Sequence, residues 1–104
     1  MNFDLFNEKS KLLINDAQNK AISLNHQQIL TDHLLYTILN DNNEYLKEIL
    51  DNCNVNKEKL INIIIKNLDK ITKISGQNLN IFFSNNLIKV FENSKIIKNE
   101  FNYI

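Results

Sequence analysis

The sequence predicts an all-α fold, and three observations predict it. Apolar residues recur at intervals of three or four along nearly the whole chain, the spacing that lines one face of an α-helix. Residues suited to helix caps, Thr31, Asn56 and Ser84, stand immediately ahead of such stretches. Proline is absent and glycine occurs once, so helices must be interrupted by Asn-rich turns rather than by strong breakers. At 104 residues the chain has room for one small domain.

The first helix is expected over 4–24, where Phe6, Ser10, Leu13, Ala17, Ala21 and Leu24 form one stripe and Glu8, Lys9, Asn15, Asp16, Asn19 and Lys20 face away from it. A second is expected over 31–39, with Thr31 as its cap and Leu30 and Leu35 as a hydrophobic staple. The third, over 43–52, should bury Leu46, Ile49, Leu50 and Cys53. The fourth, over 56–70, has Asn56 as its cap, Val55 and Leu60 flanking the first turn, and Glu58 where the helix dipole favours an acid. Ser75-Gly76-Gln77-Asn78 then breaks the pattern, and the residues as far as Phe83 read as an extended linker. Ser84 caps a fifth helix over 84–99, with Phe83 and Ile88 as its staple pair.

Composition excludes several functions. Apolar residues make up 43% of the chain and charged residues 23%, the balance of a globular protein with a packed core. Twelve basic residues face twelve acidic ones for a net charge of zero, and all twelve are Lys, so the guanidinium forks that dominate phosphate and base recognition are missing; no nucleic-acid partner is expected. The abundance of Asn, Ile and Lys, all with AT-rich codons, reads as a genome effect. No apolar run exceeds three residues, as at Ile63–Ile65, against the roughly 20 needed to span a membrane, so no membrane partner is expected. Met1-Asn2-Phe3-Asp4 lacks the basic and apolar regions of a signal peptide, and a cytoplasmic location is the expectation.

Candidate chemistry is sparse. His26 and His33 are seven residues apart across a turn, without the i, i+4 spacing of a helical zinc site or paired Cys ligands, so no metal site is expected. Gly76 is the only glycine, which rules out a Gly-rich phosphate loop, and no nucleophile elbow is present; no catalytic residue and no cofactor are assigned to this chain. Cys53 cannot form an intrachain disulfide and is expected to be a buried thiol. Tyr36 and Tyr45 are expected in the core or at its rim.

One stretch is specific. His26-Gln27-Gln28-Ile29, followed by Thr31-Asp32-His33-Leu34-Leu35 and Ile38-Leu39, resembles the first Clp repeat of the Clp N-terminal domain, as does helix one from Phe6 through Glu8-Lys9-Ser10 to Ala17-Gln18 and Ala21. Asn52 to Leu60 resembles the turn into the fourth helix of that repeat. Lys73-Ile74-Ser75-Gly76 resembles the Lys-Val-Ser-Gly that closes it in ClpB-type AAA+ disaggregases, as distinct from ClpA and ClpC relatives. Ser84, Leu87, Val90 and Phe91 resemble the start of a second repeat, and Asn102-Tyr103-Ile104 its following turn. The chain departs from the family in having Gly76 alone where several glycines are usual, Asn7 in place of a Thr, and Glu100-Phe101 in place of a Gly-Asp pair.

The resemblance implies a fold and a function. Residues 1–74 would form the first Clp repeat, 75–83 a linker and 84–104 the start of a second repeat that the chain does not complete. The implied role is capture of unfolded or aggregated client polypeptides at the entrance of a homohexameric AAA+ disaggregase, whose ATP and Mg would be bound by modules outside this chain and whose partner would be a DnaK-type chaperone. Phe6, Asn7, Leu87, Phe91 and Tyr103 are the candidate client-contacting residues, where the first helix meets the start of the second repeat; core burial is the alternative for Phe6, Leu87 and Phe91. With the rest of a second repeat missing, the face of helix five carrying Leu87, Val90, Phe91 and Ile97 is expected to be incompletely covered. The alternative functions are an adaptor-docking domain of a ClpA/ClpC-type unfoldase and an unrelated helical interaction module.

Overall fold

The computed structural model describes residues 7–41, 44–75 and 80–101. They are ordered as α1 (Glu8–Ser23), β1 (Gln28–Ile29), α2 (Thr31–Asn40), α3 (Glu44–Asn52), α4 (Lys57–Asp69), β2 (Phe82–Phe83) and α5 (Asn85–Phe101). The all-α expectation holds. The only β-structure among the described residues is a two-residue parallel ladder that pairs Gln28 with Phe82 and Ile29 with Phe83. It lies inside segments read from the sequence as a turn and a linker.

Helix starts follow cap chemistry, with two corrections. Asn56 accepts the Lys59 amide at 3.0 Å and Ser84 Oγ accepts the Leu87 amide at 3.2 Å, as their residue types predict. Helix α1, however, begins at Glu8 and not at Asp4, because Asn7 is extended and spends its side chain on the Ser10 amide at 2.8 Å. Thr31 is the first helical residue of α2 rather than its cap. The cap is Leu30, whose N–H donates to His33 Nδ1 at 2.8 Å while His33 N–H donates back to the Leu30 carbonyl at 3.1 Å. The imidazole thus takes the reciprocal part of a capping box, accepting the cap residue's own N–H, and no cap hydroxyl is used. The flanking apolar pair moves with it: Leu34 packs in the cluster that contains Ile29, whereas Leu35 is exposed.

Helix ends explain how a glycine-poor chain turns. Asn25 and Asn54 adopt φ of 60° and 58°. Around the first, Asn25 N–H bonds the Ile22 carbonyl and His26 N–H the Ala21 carbonyl; around the second, Asn54 N–H bonds Asp51 and Val55 N–H bonds Leu50. Both are Schellman motifs with Asn in the left-handed position that glycine usually takes. Asn pays less than other side chains for that conformation because its short amide can bond locally.

Two apolar clusters hold the helices together. Ile14, Ala17 and Ala21 of α1 pack with Ile29, Leu87 and Phe91, and Phe83 stands edge-on to Phe91 with ring centres 5.5 Å apart. Leu39 of α2 packs with Ile64 and Leu68 of α4, flanked by Leu24, Tyr36, Leu46 and Leu50. Ala17 and Ala21 let α1 approach its neighbours closely, and Lys20 places its ammonium 4.4 Å from the centre of the Tyr36 ring.

Helix α3 departs from expectation on one side. Leu46 and Leu50 are half-buried, but Ile49, one turn along from Tyr45, is exposed, and Tyr45 itself is 80% exposed. Cys53 continues that outward stripe four residues after Ile49 and is exposed, which corrects the buried thiol and places Tyr45 outside the core.

Candidate functional site

Helix α2 carries Leu34, Leu35, Tyr36, Ile38 and Leu39, more apolar residues than a single buried face of ten residues can hold. Helix α4 has the same surplus in Leu60, Ile61, Ile63, Ile64 and Ile65. The core takes Leu39 and Ile64 with Tyr36, Leu60 and Ile61 packed against them, and Leu34, Leu35, Ile38 and Ile63 reach the surface beside Leu87 and Val90 of α5. There, α2, α4 and α5 enclose a depression of about 470 Å³ with Ile64 and Leu87 among its lining residues. Leu35, Ile63 and Val90 around it are 40%, 56% and 45% exposed. A second depression, of about 210 Å³, lies between α1, α2 and α5 and is lined by Ser10, Leu13, Ile14 and Phe91. The two share Leu34, Ile38 and Val90, so they form one apolar groove along α2. Among the described residues Asp32 is the only charged one lining either part. Such a surface favours apolar side chains without hydrogen-bond readout of their order.

The five residues expected from the sequence are distributed unevenly over this site. Leu87 and Phe91 line the groove, but at 1% and 3% exposure they are core residues beneath it rather than contact surface. Packing against Ile14, Ala17, Ala21 and Ile29 buries them, so this part of the α5 face is covered, while Val90 stays open. The side chain of Ile97 lies outside the described ones. Asn7 is exposed at the start of α1, where its side chain is engaged as a cap. Phe6 and Tyr103 lie outside the described residues. Leu35, Ile63 and Val90 were not singled out as contacts; the signal that finds Leu35 and Ile63 is the apolar surplus on α2 and α4, and Val90 is the part of the α5 face that stays uncovered.

A second polar feature lies beside the groove. His26 and His33 are both buried, with His26 Nδ1 2.9 Å from His33 Nε2. Because His33 Nδ1 accepts the Leu30 amide, its proton sits on Nε2 and is donated to His26 Nδ1, which leaves the His26 proton on Nε2. His26 Nε2 has no hydrogen-bond partner among the described residues. Burial lowers both imidazole pKa values below the ordinary 6.5, His33 to about 4, with the neighbouring His26 adding to the effect. The pair is therefore neutral at physiological pH, and both of its lone pairs are engaged, His33 Nδ1 by the Leu30 amide and His26 Nδ1 by the His33 ring. Among the described residues no three His, Cys, Asp or Glu side chains gather as a metal site, and no helix is long and apolar enough to cross a membrane.

Comparison with known proteins agrees with this architecture. The family model described as the Clp repeat (R) N-terminal domain matches residues 5–103, and the match includes no ATPase module. The chain is 35% identical over 101 residues to chaperone protein ClpB of Rickettsia typhi, covering 93% of this chain and 11% of that protein. It is 33% identical over 101 residues to ClpB of Prochlorococcus marinus, with 94% and 11% covered, and 33% identical over 76 residues to ClpB of Vibrio vulnificus, with 73% and 9% covered. The chain thus spans about a tenth of the length of these relatives.

Proposed function

We propose that this chain, which belongs to the Clp repeat N-terminal domain family, is the client-handling domain of a ClpB-type ATP-dependent protein disaggregase. The observation that carries the reading is the apolar groove along α2, with Leu35, Ile63 and Val90 open on its walls and Asp32 as its single charged residue among those described. An unfolded segment exposes apolar side chains in no fixed order, and a mainly apolar groove, polar at Ser10, Thr31, Asp32, Asn67 and Ser94, accepts them at low affinity and low specificity. Leu87 and Phe91 serve the site by supporting it from below.

In this reading residues 1–74 are the first Clp repeat and α5 begins the second. ATP and Mg bind to AAA+ modules of a longer, cytoplasmic, homohexameric protein that cooperates with a DnaK-type chaperone, and this chain contributes no catalysis. Similarity to proteins named ClpB and the Lys73-Ile74-Ser75-Gly76 sequence favour a disaggregase over a ClpA/ClpC-type unfoldase.

Two binding experiments test the proposal: one with a permanently unfolded model protein, one with a folded Clp adaptor. Weak, saturable binding to the unfolded protein is expected. Tight binding to the adaptor with none to the unfolded protein would instead assign the surface to adaptor docking.

A further inference from the structure

The peptide unit between Ile29 and Leu30 is held at both ends. Its carbonyl accepts the Ser84 amide at 2.9 Å, and its N–H donates to His33 Nδ1 at 2.8 Å. His33 Nε2 in turn lies 2.9 Å from His26 Nδ1. A continuous run of hydrogen bonds therefore leads from the first residue before α5, through one peptide plane, to two buried imidazoles. We infer that the His26–His33 pair is an acid-sensitive latch that fastens the start of α5 to the start of α2.

Proton count makes the latch sensitive to acid. In the neutral state each facing pair of atoms has one donor and one acceptor. A proton added to His33 must go on Nδ1, where it meets the Leu30 N–H, and a proton added to His26 must go on Nδ1, where it meets the His33 Nε2–H. Moving the His33 proton to Nδ1 to relieve the second conflict recreates the first. No protonated state of the pair keeps the run intact, so protonation requires the Leu30 amide or the two rings to separate. Because the same peptide plane receives Ser84, its displacement weakens the anchor of α5, whose Leu87 and Phe91 complete the core against α1.

The surrounding charges do not rescue the protonated form. His26 faces Lys73, which opposes a positive charge, and Asp69 at the end of α4, which favours one. His33 faces Asp32 of α2, which favours the charge, and Lys20 of α1, which opposes it. His26 itself also opposes a charge on His33, so burial and the neighbouring ring decide the balance, and the closed latch takes up a proton less readily than an open one. The closed form is fully favoured above the ordinary His value of 6.5 and loses ground as pH falls from there toward about 4.

Amide hydrogen exchange of the chain, read as protection factors at pH 7 and pH 5 with ring protonation followed by nitrogen chemical shifts, tests the latch. The Leu30 and Ser84 amides are expected to lose protection together between pH 7 and pH 5, by roughly 20-fold from His33 alone, while the ring in the closed latch stays largely neutral until the pH nears about 4. His33→Asn retains an acceptor near the Nδ1 position without a titrating ring, and in that variant the step should vanish. No loss at Leu30, no loss at Ser84, or rings already protonated in the folded chain at pH 5 would each overturn the proposal. The wild-type titration decides this even where the variant does not fold.

Discussion

Ser84 donates its amide hydrogen to the Ile29 carbonyl at 2.9 Å, and the same residue uses its hydroxyl to accept the Leu87 amide. One residue thus closes the β1–β2 ladder and opens α5. Replacing Ser84 by Ala removes the hydroxyl cap alone and is expected to cost about 1 kcal/mol. Ser84→Pro also deletes the bond to Ile29 and should cost clearly more. Urea denaturation of the two variants measures the difference; equal losses would mean that the ladder bond contributes nothing.

The Asn-for-Gly solution at the ends of α1 and α3 is testable in the same way. Asn25→Ala and Asn54→Ala should each destabilise by roughly 1 kcal/mol, because Ala has no local amide to offset the left-handed backbone. Asn25→Gly and Asn54→Gly should be neutral or slightly stabilising. Thermal melts in which Ala and Gly behave alike would contradict the assigned geometry.

Support and contact within the groove separate by mutation. Leu87→Ala and Phe91→Ala empty core volume and should cost on the order of 2 to 5 kcal/mol, enough to unfold much of a small domain. Ile63→Ser and Val90→Ser act at open positions and should change stability by only about 0.5 kcal/mol, while weakening capture of unfolded protein. A Phe91→Ala variant with unchanged urea midpoint would show that Phe91 is not part of the core.

These distinctions mark how far the sequence can be read. The caps at Asn56 and Ser84 were legible because the residue type alone supplies the bond, and the Ala17–Ala21 stripe because its partners sit at helical spacing. Thr31 misled because the competing acceptor, the His33 ring, is not a standard cap. The β1–β2 ladder leaves no alternation in two residues per strand, and its partners are more than fifty residues apart. Cys53 and Ile49 share an apolar stripe with Tyr45 that nothing among the described residues requires to face inward. For the site, the sequence revealed the groove's supports in Leu87 and Phe91, since they fall on the apolar stripe of α5. It did not separate support from contact, because that depends on which side of α5 meets α1.

Acid should lower stability. The folded chain holds both imidazoles neutral, so below pH 6.5 the unfolded chain binds more protons and the equilibrium moves toward it. The urea midpoint is therefore expected to fall between pH 7 and pH 5. A midpoint that rises over this range would mean that the histidines are better accommodated as cations.

If the groove along α2 receives unfolded polypeptide, amide shifts of the isotopically labelled chain during titration with a permanently unfolded protein will locate the contact. The account predicts perturbations concentrated at Leu35, Ile63 and Val90 and their neighbours, diminished by Ile63→Ser and Val90→Ser. Perturbations confined to Leu12 and Ile22, exposed apolar residues on α1 that line neither part of the groove, would contradict it, as would binding that the two substitutions leave unchanged.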